Sequence, residues 1–431
     1  MERVFINGMW QYKLDMLQTA ALGAIMYYFG TWLRSKIPTL AKYSIPAPAI
    51  GGLVVAISTA TMQSMGIASF AFDGTLQTVF MICFFCTVGI NASYKLVIRG
   101  GIMVVAFWGV SSFVSILQNA VNLPISFGFG LNPLMGLAGG SVSMIGGLGT
   151  AGAFGALFED EFGVSGALSA AIACATFGMV AGSVFGGPVG EWIIKTHKIL
   201  APKAETLKEM IKSPFGDTVA NDKAVLEEVG ELTREKHADD HEHKVSGPHL
   251  MKNIAWILIA AGFGSAISFY LKKAGITLPP YLGAMMVAIV IRNIGDLTEL
   301  FAIDSKCIGM IGDIALGFYI TMAINSLQLG QLVNLALPLV IMMILQIVLI
   351  VALAYFLVFR AFGKNYDSTV MASGLIGFGL GATPNALVCM QALTNKYGPS
   401  EKAFFVVPIV GAFLVDISNA AIIAMMSGFL R

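Results

Sequence analysis

Charge is what this sequence has least of. Only 12% of its 431 residues are Asp, Glu, Lys or Arg against 56% that are hydrophobic, and the mean hydropathy is +0.78. About a quarter of the residues of a soluble domain are charged, so this composition excludes an ordinary soluble fold and predicts a polytopic membrane protein. The net charge is +1, with no basic patch or stripe, and no nucleic-acid partner is expected. Cysteine is scarce too. Cys83, Cys86, Cys174, Cys307 and Cys389 lie in or beside apolar runs, so disulfide staples are not expected. Cys83 and Cys86 form a C-x-x-C without further ligands nearby, which reads as two small packing residues a helical turn apart.

Catalytic signatures are missing as well. No Ser-His-Asp arrangement falls inside the apolar runs, and there is no zinc-ligand spacing, P-loop or paired nucleotide motif. Neither an enzyme nor an ATP-driven pump is expected, which leaves ion-coupled secondary transport. The opening MERVFINGMW is short and mixed in charge, and no small-residue cleavage site follows the first apolar run. That run reads as a retained helix, not a signal peptide.

What is present is a series of apolar runs of roughly 16 to 25 residues, each able to cross ~30 Å of hydrocarbon. They fall near residues 13–33, 47–63, 75–92, 102–122 and 164–187, then near 251–271, 279–295, 307–327, 334–360 and 402–428. The two groups of five echo each other in order: IPAP by LPPY, TVGIN by TMAIN, GGLGTA by GLGAT, ATFG by GAFL. Pro279 answers Pro46, Asn325 answers Asn91, Gly379 answers Gly147 and Phe413 answers Phe177, at offsets of 233, 234, 232 and 236 residues. A nearly constant offset over four motifs predicts an internal duplication.

An odd number of crossings per half forces the second copy to lie inverted. The positive-inside rule tests this independently. With the N-terminus outside, Arg34, Lys36, Lys42, Lys95, Arg99, Arg292, Lys306, Arg360, Lys364, Lys396 and Lys402 fall on the cytoplasmic side. The outside keeps Arg3, Lys13, Lys272, Lys273 and Arg431, with the acidic Glu159, Asp160 and Glu161. Both termini are therefore expected to be extracytoplasmic. The expected organisation is an N-terminal repeat over 1–193, a polar cytoplasmic linker over 194–250 and a C-terminal inverted repeat over 251–431. His237, His241 and His243 in the linker read as part of a solvated polar stretch and not as a metal site.

Between the fourth and fifth helices of each half lies one more apolar segment, about 133–158 and 368–395, with SMIGGLGTAG and GFGLGATPNA at the centres. A sixth straight crossing is the alternative reading. It would put each glycine at mid-bilayer at a cost of about 1 kcal/mol against Ala, place Pro384 where a backbone donor is needed, and make the halves parallel. Two half-helices joined by a glycine turn avoid all three, since broken backbone at membrane depth is tolerated inside protein or along an aqueous cavity. The segments are thus expected to be re-entrant hairpins whose tips meet near the midplane. The half-helix after each tip presents unpaired N–H groups, suited to a carboxylate, while turn carbonyls suit Na⁺. Thr150 and Thr383 add hydroxyls.

Ionisable groups inside membrane helices cost about 2.5–3.5 kcal/mol on insertion scales and mark function. Asp416, with Ser418 and Asn419 beside it, is expected to ligate Na⁺ or to receive a substrate ammonium. Asp313 lies nearer a helix end. Asn91 and Asn325 end their helices at matched positions, as capping residues or as Na⁺ ligands. Gln118, Asn119 and Gln346 read as interhelical hydrogen-bonders.

These residues resemble the bacterial sodium/glutamate symporters. The likeness rests on YSIPAPAIGGLVVA, CTVGINAS, NPLMGLAGGSVSMIGGLGTAGAF, ACATFGMVAGSVFGGPVG, GKNYD, GFGLGATPNALVCMQA and VVPIVGAFLVDISNA, spread over both halves outside the linker. It implies Na⁺-coupled L-glutamate uptake across the bacterial inner membrane by a homodimer with elevator-like motion. The substrate residues it implies are Gly146, Gly147, Gly149, Thr150, Gly379, Gly381, Ala382, Thr383 and Asn385. Na⁺ is the coupling ion, no organic cofactor is implied, and Asp416, Asn419, Asn91 and Asn325 are the Na⁺ candidates. The family pattern reads Gly-Gly-His-Gly-Thr at the first tip, whereas this chain has Leu148 between Gly147 and Gly149. That change leaves another small carboxylate, a dicarboxylate or hydroxy acid, as the alternative substrate. A non-transporting membrane sensor is the reading from a different class.

Overall fold

The computed structural model describes residues 2–6, 9–42, 45–200, 247–273, 279–301 and 303–430. Residues 201–246, with His237, His241 and His243, lie outside the described residues. The described chain is mostly helical. In order it forms α1 (Met16–Lys36), α2 (Pro38–Lys42), α3 (Ala47–Ser64), α4 (Thr75–Asn91), α5 (Tyr94–Gly128), α6 (Pro133–Ala138), α7 (Gly147–Asp160) and α8 (Ala167–His197). After residues 201–246 come α9 (Gly247–Lys273), α10 (Pro280–Thr298), α11 (Ser305–Asn325), α12 (Leu329–Leu353), α13 (Tyr366–Gly379), α14 (Thr383–Tyr397), α15 (Glu401–Ile409) and α16 (Val415–Phe429). Wide π-helical turns extend α12 over Ala354–Phe359 and join α15 to α16 over Val410–Leu414.

Each half explains its own helix starts. Asp15 caps α1 through a reciprocal pair of bonds with Gln18, and Asn365 does the same for α13 with Ser368. The IPAP and LPPY motifs start α3 and α10, where proline fits because the first-turn N–H groups have no helical partner.

Among the described residues seven helices are long and apolar enough to cross a membrane, and α4, at 17 residues, is apolar but shorter. Ten crossings were expected. Helices form at all ten places, but α1 and α3 are not among the seven. Helix α1 ends in Arg34 and Lys36, and α3 carries the polar tail STATMQS, whose Ser58 and Thr61 hydroxyls turn back onto the Val54 and Ile57 carbonyls.

The all-α expectation needs one correction. Strands β1 (Glu2–Ile6) and β2 (Met9–Leu14) form an antiparallel hairpin, and β3 (Ala68–Phe72) adds parallel to β2. The pairing of 9–14 with 68–72 joins the chain ahead of α1 to the connection after α3, and Tyr12 stacks on Phe70 at 5.7 Å. Pairing satisfies backbone groups that would otherwise need water.

The helices pack in two groups. Helices α1, α3, α4, α9, α10 and α11 pack among themselves, and α5–α8 pack with α12–α16. The groups meet where α7 lies on α11, where α12 lies on α3, where α5 lies on α10 and where the Val410–Leu414 turn lies on α4. Only Ala92 and Ser93 join α4 to α5, and Ser326, Leu327 and Gln328 join α11 to α12. Close approaches recur among these helices. A Cβ on Gly52 would lie 2.6 Å from the Ile324 Cβ, and one on Gly89 would lie 2.6 Å from the Met285 carbonyl oxygen. Gly30 abuts the Ala47 carbonyl as Gly283 abuts the Gly264 carbonyl.

At one end of α11, Asp304 accepts from the Lys306 (2.9 Å) and Cys307 (3.3 Å) N–H groups and pairs with His249 at 2.8 Å. Partial burial pushes its carboxyl up, but the bonds from His249, Cys307 and Lys306 outweigh this and hold it below the usual carboxylate value. A lowered acid contributes stability that is full above its unfolded pKa of ~3.9 and is lost as pH falls through the folded value. Asp304→Ala is expected to destabilise the protein by about 0.5–2 kcal/mol at neutral pH, with the gap closing in acid; thermal melts against pH check this.

Candidate functional site

Both glycine segments are helix, break, helix. In the first, Asn132 caps α6 through the Leu134 N–H, α6 ends at Gly139, and α7 starts at Gly147 with φ +59°. In the second, α13 ends at Gly379 and α14 starts at Thr383, leaving Leu380, Gly381 and Ala382 between. No side chain caps α7 at Gly146 or α14 at Ala382, so the first-turn N–H groups of both keep the positive end of the helix dipole.

The two breaks touch. A Cβ on Gly147 would lie 2.5 Å from the Gly381 carbonyl oxygen, so Gly147 is small because the other break is there, whereas a Cβ on Gly381 would meet Asn385 and Met179. Helix α8 supports the second break with a stripe of small residues. Gly178 abuts the Leu380 carbonyl, a Cβ on Gly182 would lie 3.0 Å from the Gly377 oxygen, and Ser373 donates to the Gly186 carbonyl at 2.9 Å. The Asn385 amide donates to the Met179 carbonyl at 2.9 Å. Gly379 packs on Ile350, and its carbonyl accepts from Gln118 Nε2 at 2.7 Å. Of the expected substrate residues, Gly379 and Asn385 are therefore engaged within the protein, while Ala382 and Thr383 are only half-buried.

An aromatic wall lies against α7. Tyr319 donates to the Gly149 carbonyl at 2.8 Å, and Phe84 packs at Gly149. Tyr281 stacks on Phe85 at 3.6 Å and meets Phe154 edge-on at 6.2 Å, and its buried hydroxyl has no hydrogen-bond partner among the described residues. Leu148 is buried at 6% exposure, and Thr150 sits over Gly146. Tyr281 and Tyr319 were not singled out from the sequence; a tyrosine in an apolar run, with its polar tip to satisfy, was the available signal.

Asp416 begins α16 directly after the π-helical turn. It is half-buried and receives no hydrogen bond among the described residues. Gly411 of the same turn faces the Thr383 hydroxyl, 3.2 Å from where a Cβ would stand. Ser418 accepts from Trp108 (3.2 Å) and Ser112 (2.8 Å). Asn419 lies elsewhere, at the first break, where its amide donates to the Ser141 carbonyl at 3.1 Å. Asn91 and Asn325 end α4 and α11 in the other helix group. Neither side chain acts as a cap: the Asn91 Oδ1 and both polar atoms of Asn325 are buried without a partner among the described residues. Asp313 is exposed on α11.

Paired helix breaks meeting inside a multi-pass membrane protein, with uncapped helix starts and a carboxylate nearby, are the construction of a carrier with discontinuous helices. Within that class the chain belongs to the sodium/glutamate symporter family, whose model matches residues 12–399. It is 33% identical over 412 residues to a sodium/glutamate symporter of Haemophilus influenzae, covering 96% of this chain and 97% of that one. It is 33% identical over 417 residues to the Escherichia coli sodium/glutamate symporter, covering 96% and 98%. A solved sodium proton antiporter from Methanocaldococcus jannaschii aligns over 97% of this chain and 98% of its own, at 13% identity and a TM-score of 0.37.

Proposed function

We propose that the protein is a secondary transporter that carries L-glutamate into the cell together with Na⁺, in the bacterial inner membrane. Family membership supports the chemistry, and the observation that carries the site is the contact of Gly147 with Gly381. A substrate carboxylate binds the uncapped starts of α7 and α14, at Gly146, Gly147, Gly149 and Thr150 and at Gly381, Ala382 and Thr383. Asp416 takes the ammonium or the coupling Na⁺, and Asn91 and Asn325 offer amide oxygens from the other helix group.

The two halves, 1–193 and 251–431, act as inverted repeats with the broken segments re-entering as hairpins, joined by a cytoplasmic linker at 194–250. Contacts between the halves suit this: Gly52 lies against Ile324 and Gly89 against Met285, and Gly147 meets Gly381, two residues beyond its counterpart Gly379. One ion pair fits the sidedness read from the charges, with both termini proposed to be extracytoplasmic. Lys272 pairs with Glu161, both expected on the same side of the membrane. In the elevator-like cycle the group with both breaks moves against the other, which also makes the homodimer contact. Short connections at Ala92 and Ser93 and at 326–328 suit that motion.

Leu148 favours a second reading, another small carboxylate, because hairpin N–H groups read a carboxylate without the amine. Proteoliposome uptake of labelled L-glutamate, with and without an inward Na⁺ gradient and with aspartate, malate and citrate as competitors, separates the two. Na⁺-dependent accumulation of glutamate is expected. Accumulation of malate alone would overturn glutamate as the substrate, and no Na⁺-dependent flux at all would overturn the coupling.

A further inference from the structure

Behind the first break lies a cluster of buried amides and one hydroxyl that the carboxylate site does not use. Gln118 and Asn122 on α5, Gln346 on α12, Asn419 on α16 and Ser141 in the break are all 0% exposed. Their nitrogens are largely claimed. Gln118 Nε2 donates to the Gly379 carbonyl, Gln346 Nε2 to the Gln118 carbonyl at 2.7 Å, and Asn419 Nδ2 to the Ser141 carbonyl. Because each of those partners is an acceptor, the amide orientations are fixed with oxygen turned away from the bond.

The oxygens are left over. Among the described residues Gln118 Oε1, Gln346 Oε1, Asn419 Oδ1 and Ser141 Oγ have no partner, nor has either polar atom of Asn122. The residues are neighbours of 139–141: a Cβ on Gly139 would lie 3.3 Å from Asn122 Nδ2, and one on Gly140 would lie 3.1 Å from the Gln118 main-chain oxygen, which also accepts from Gln346 Nε2. Burying polar atoms without partners is unfavourable, so an acceptor-rich cluster of this kind calls for a positive ligand. Its donors are hard oxygens, and none is ionised, which fits a monovalent alkali cation better than a divalent one.

We infer that Gln118, Asn122, Ser141, Gln346 and Asn419 form a neutral Na⁺ site behind the first break, separate from Asp416. This rests on the Na⁺-coupled reading above. Filling the site holds the break against α5 and α12, and Gln118 passes that order to the second break through the Gly379 carbonyl.

The test is the thermal melt of the purified full-length protein without glutamate, titrated with NaCl, LiCl or KCl at constant ionic strength, with uptake measured in parallel. Na⁺ is expected to stabilise the wild type and K⁺ not. Asn122→Leu and Ser141→Ala should raise the Na⁺ midpoint by about tenfold and melt no lower than wild type in Na⁺-free buffer, because each removes an unsatisfied atom. If the wild type responds to Na⁺ and both variants match its midpoint, the site is wrong while the coupling stands. If the wild type neither responds in the melt nor takes up glutamate on a Na⁺ gradient, the coupling reading and this site fall together.

Discussion

Gly147→Val is expected to abolish Na⁺-driven uptake while leaving the protein inserted in the membrane. Two costs coincide at this position. A positive φ of 59° costs an L-residue about 1–2 kcal/mol, and a side chain would be driven into the Gly381 carbonyl, where a Cβ alone stands 2.5 Å away. Overpacking adds about 1–3 kcal/mol. Together they disfavour the touching arrangement of the two breaks by about 2–5 kcal/mol, so uptake should fall by more than about tenfold. Gly163→Ala is the matched control, since Gly163 has φ +68° with open space around its missing Cβ. It carries the backbone cost without the collision and should transport nearly normally. Wild-type uptake by Gly147→Val, at equal membrane expression, would separate the breaks' contact from transport.

The second large effect belongs to Asp416. Asp416→Asn keeps the size of the side chain and removes its charge, and no protein group among the described residues donates to that carboxylate. Losing a charged partner to a bound ion or ammonium costs about 2–5 kcal/mol, which is at least roughly thirtyfold in affinity. Where the loss appears identifies the role. If Asp416 receives the ammonium, glutamate weakens while glutarate, which lacks the amine, does not. If it ligates Na⁺, the Na⁺ midpoint rises for every substrate. Unchanged Na⁺ dependence together with unchanged glutamate affinity would remove Asp416 from the site.

The helical part of the fold was legible because its causes are local. An apolar run long enough for hydrocarbon and a proline at a helix start act through near neighbours, and IPAP and LPPY do begin α3 and α10. The strands were not legible. Segments as short as ASFAF carry little periodic signal, and β2 finds β3 across more than fifty residues of intervening chain. The glycine breaks were legible as breaks, because four glycines within SMIGGLGTAG disfavour helix wherever they lie. Their contact was not, since nothing in either motif names its partner.

The polar residues divide along the same line. That Gln118, Asn119 and Gln346 would hydrogen-bond between helices follows from the high cost of a bare amide in an apolar run. Which of their atoms are used does not follow. The sequence alone already specified a membrane protein with two interrupted helices, through transfer energies and propensities that act residue by residue. Only the folded arrangement decided which polar atoms are left without a partner. Gln118 meets the Gly379 carbonyl 261 residues away and Asn419 meets Ser141 across 278. Hydrogen bonds saturate pairwise, so the atoms that remain for a ligand are set by contacts that no local window of sequence contains.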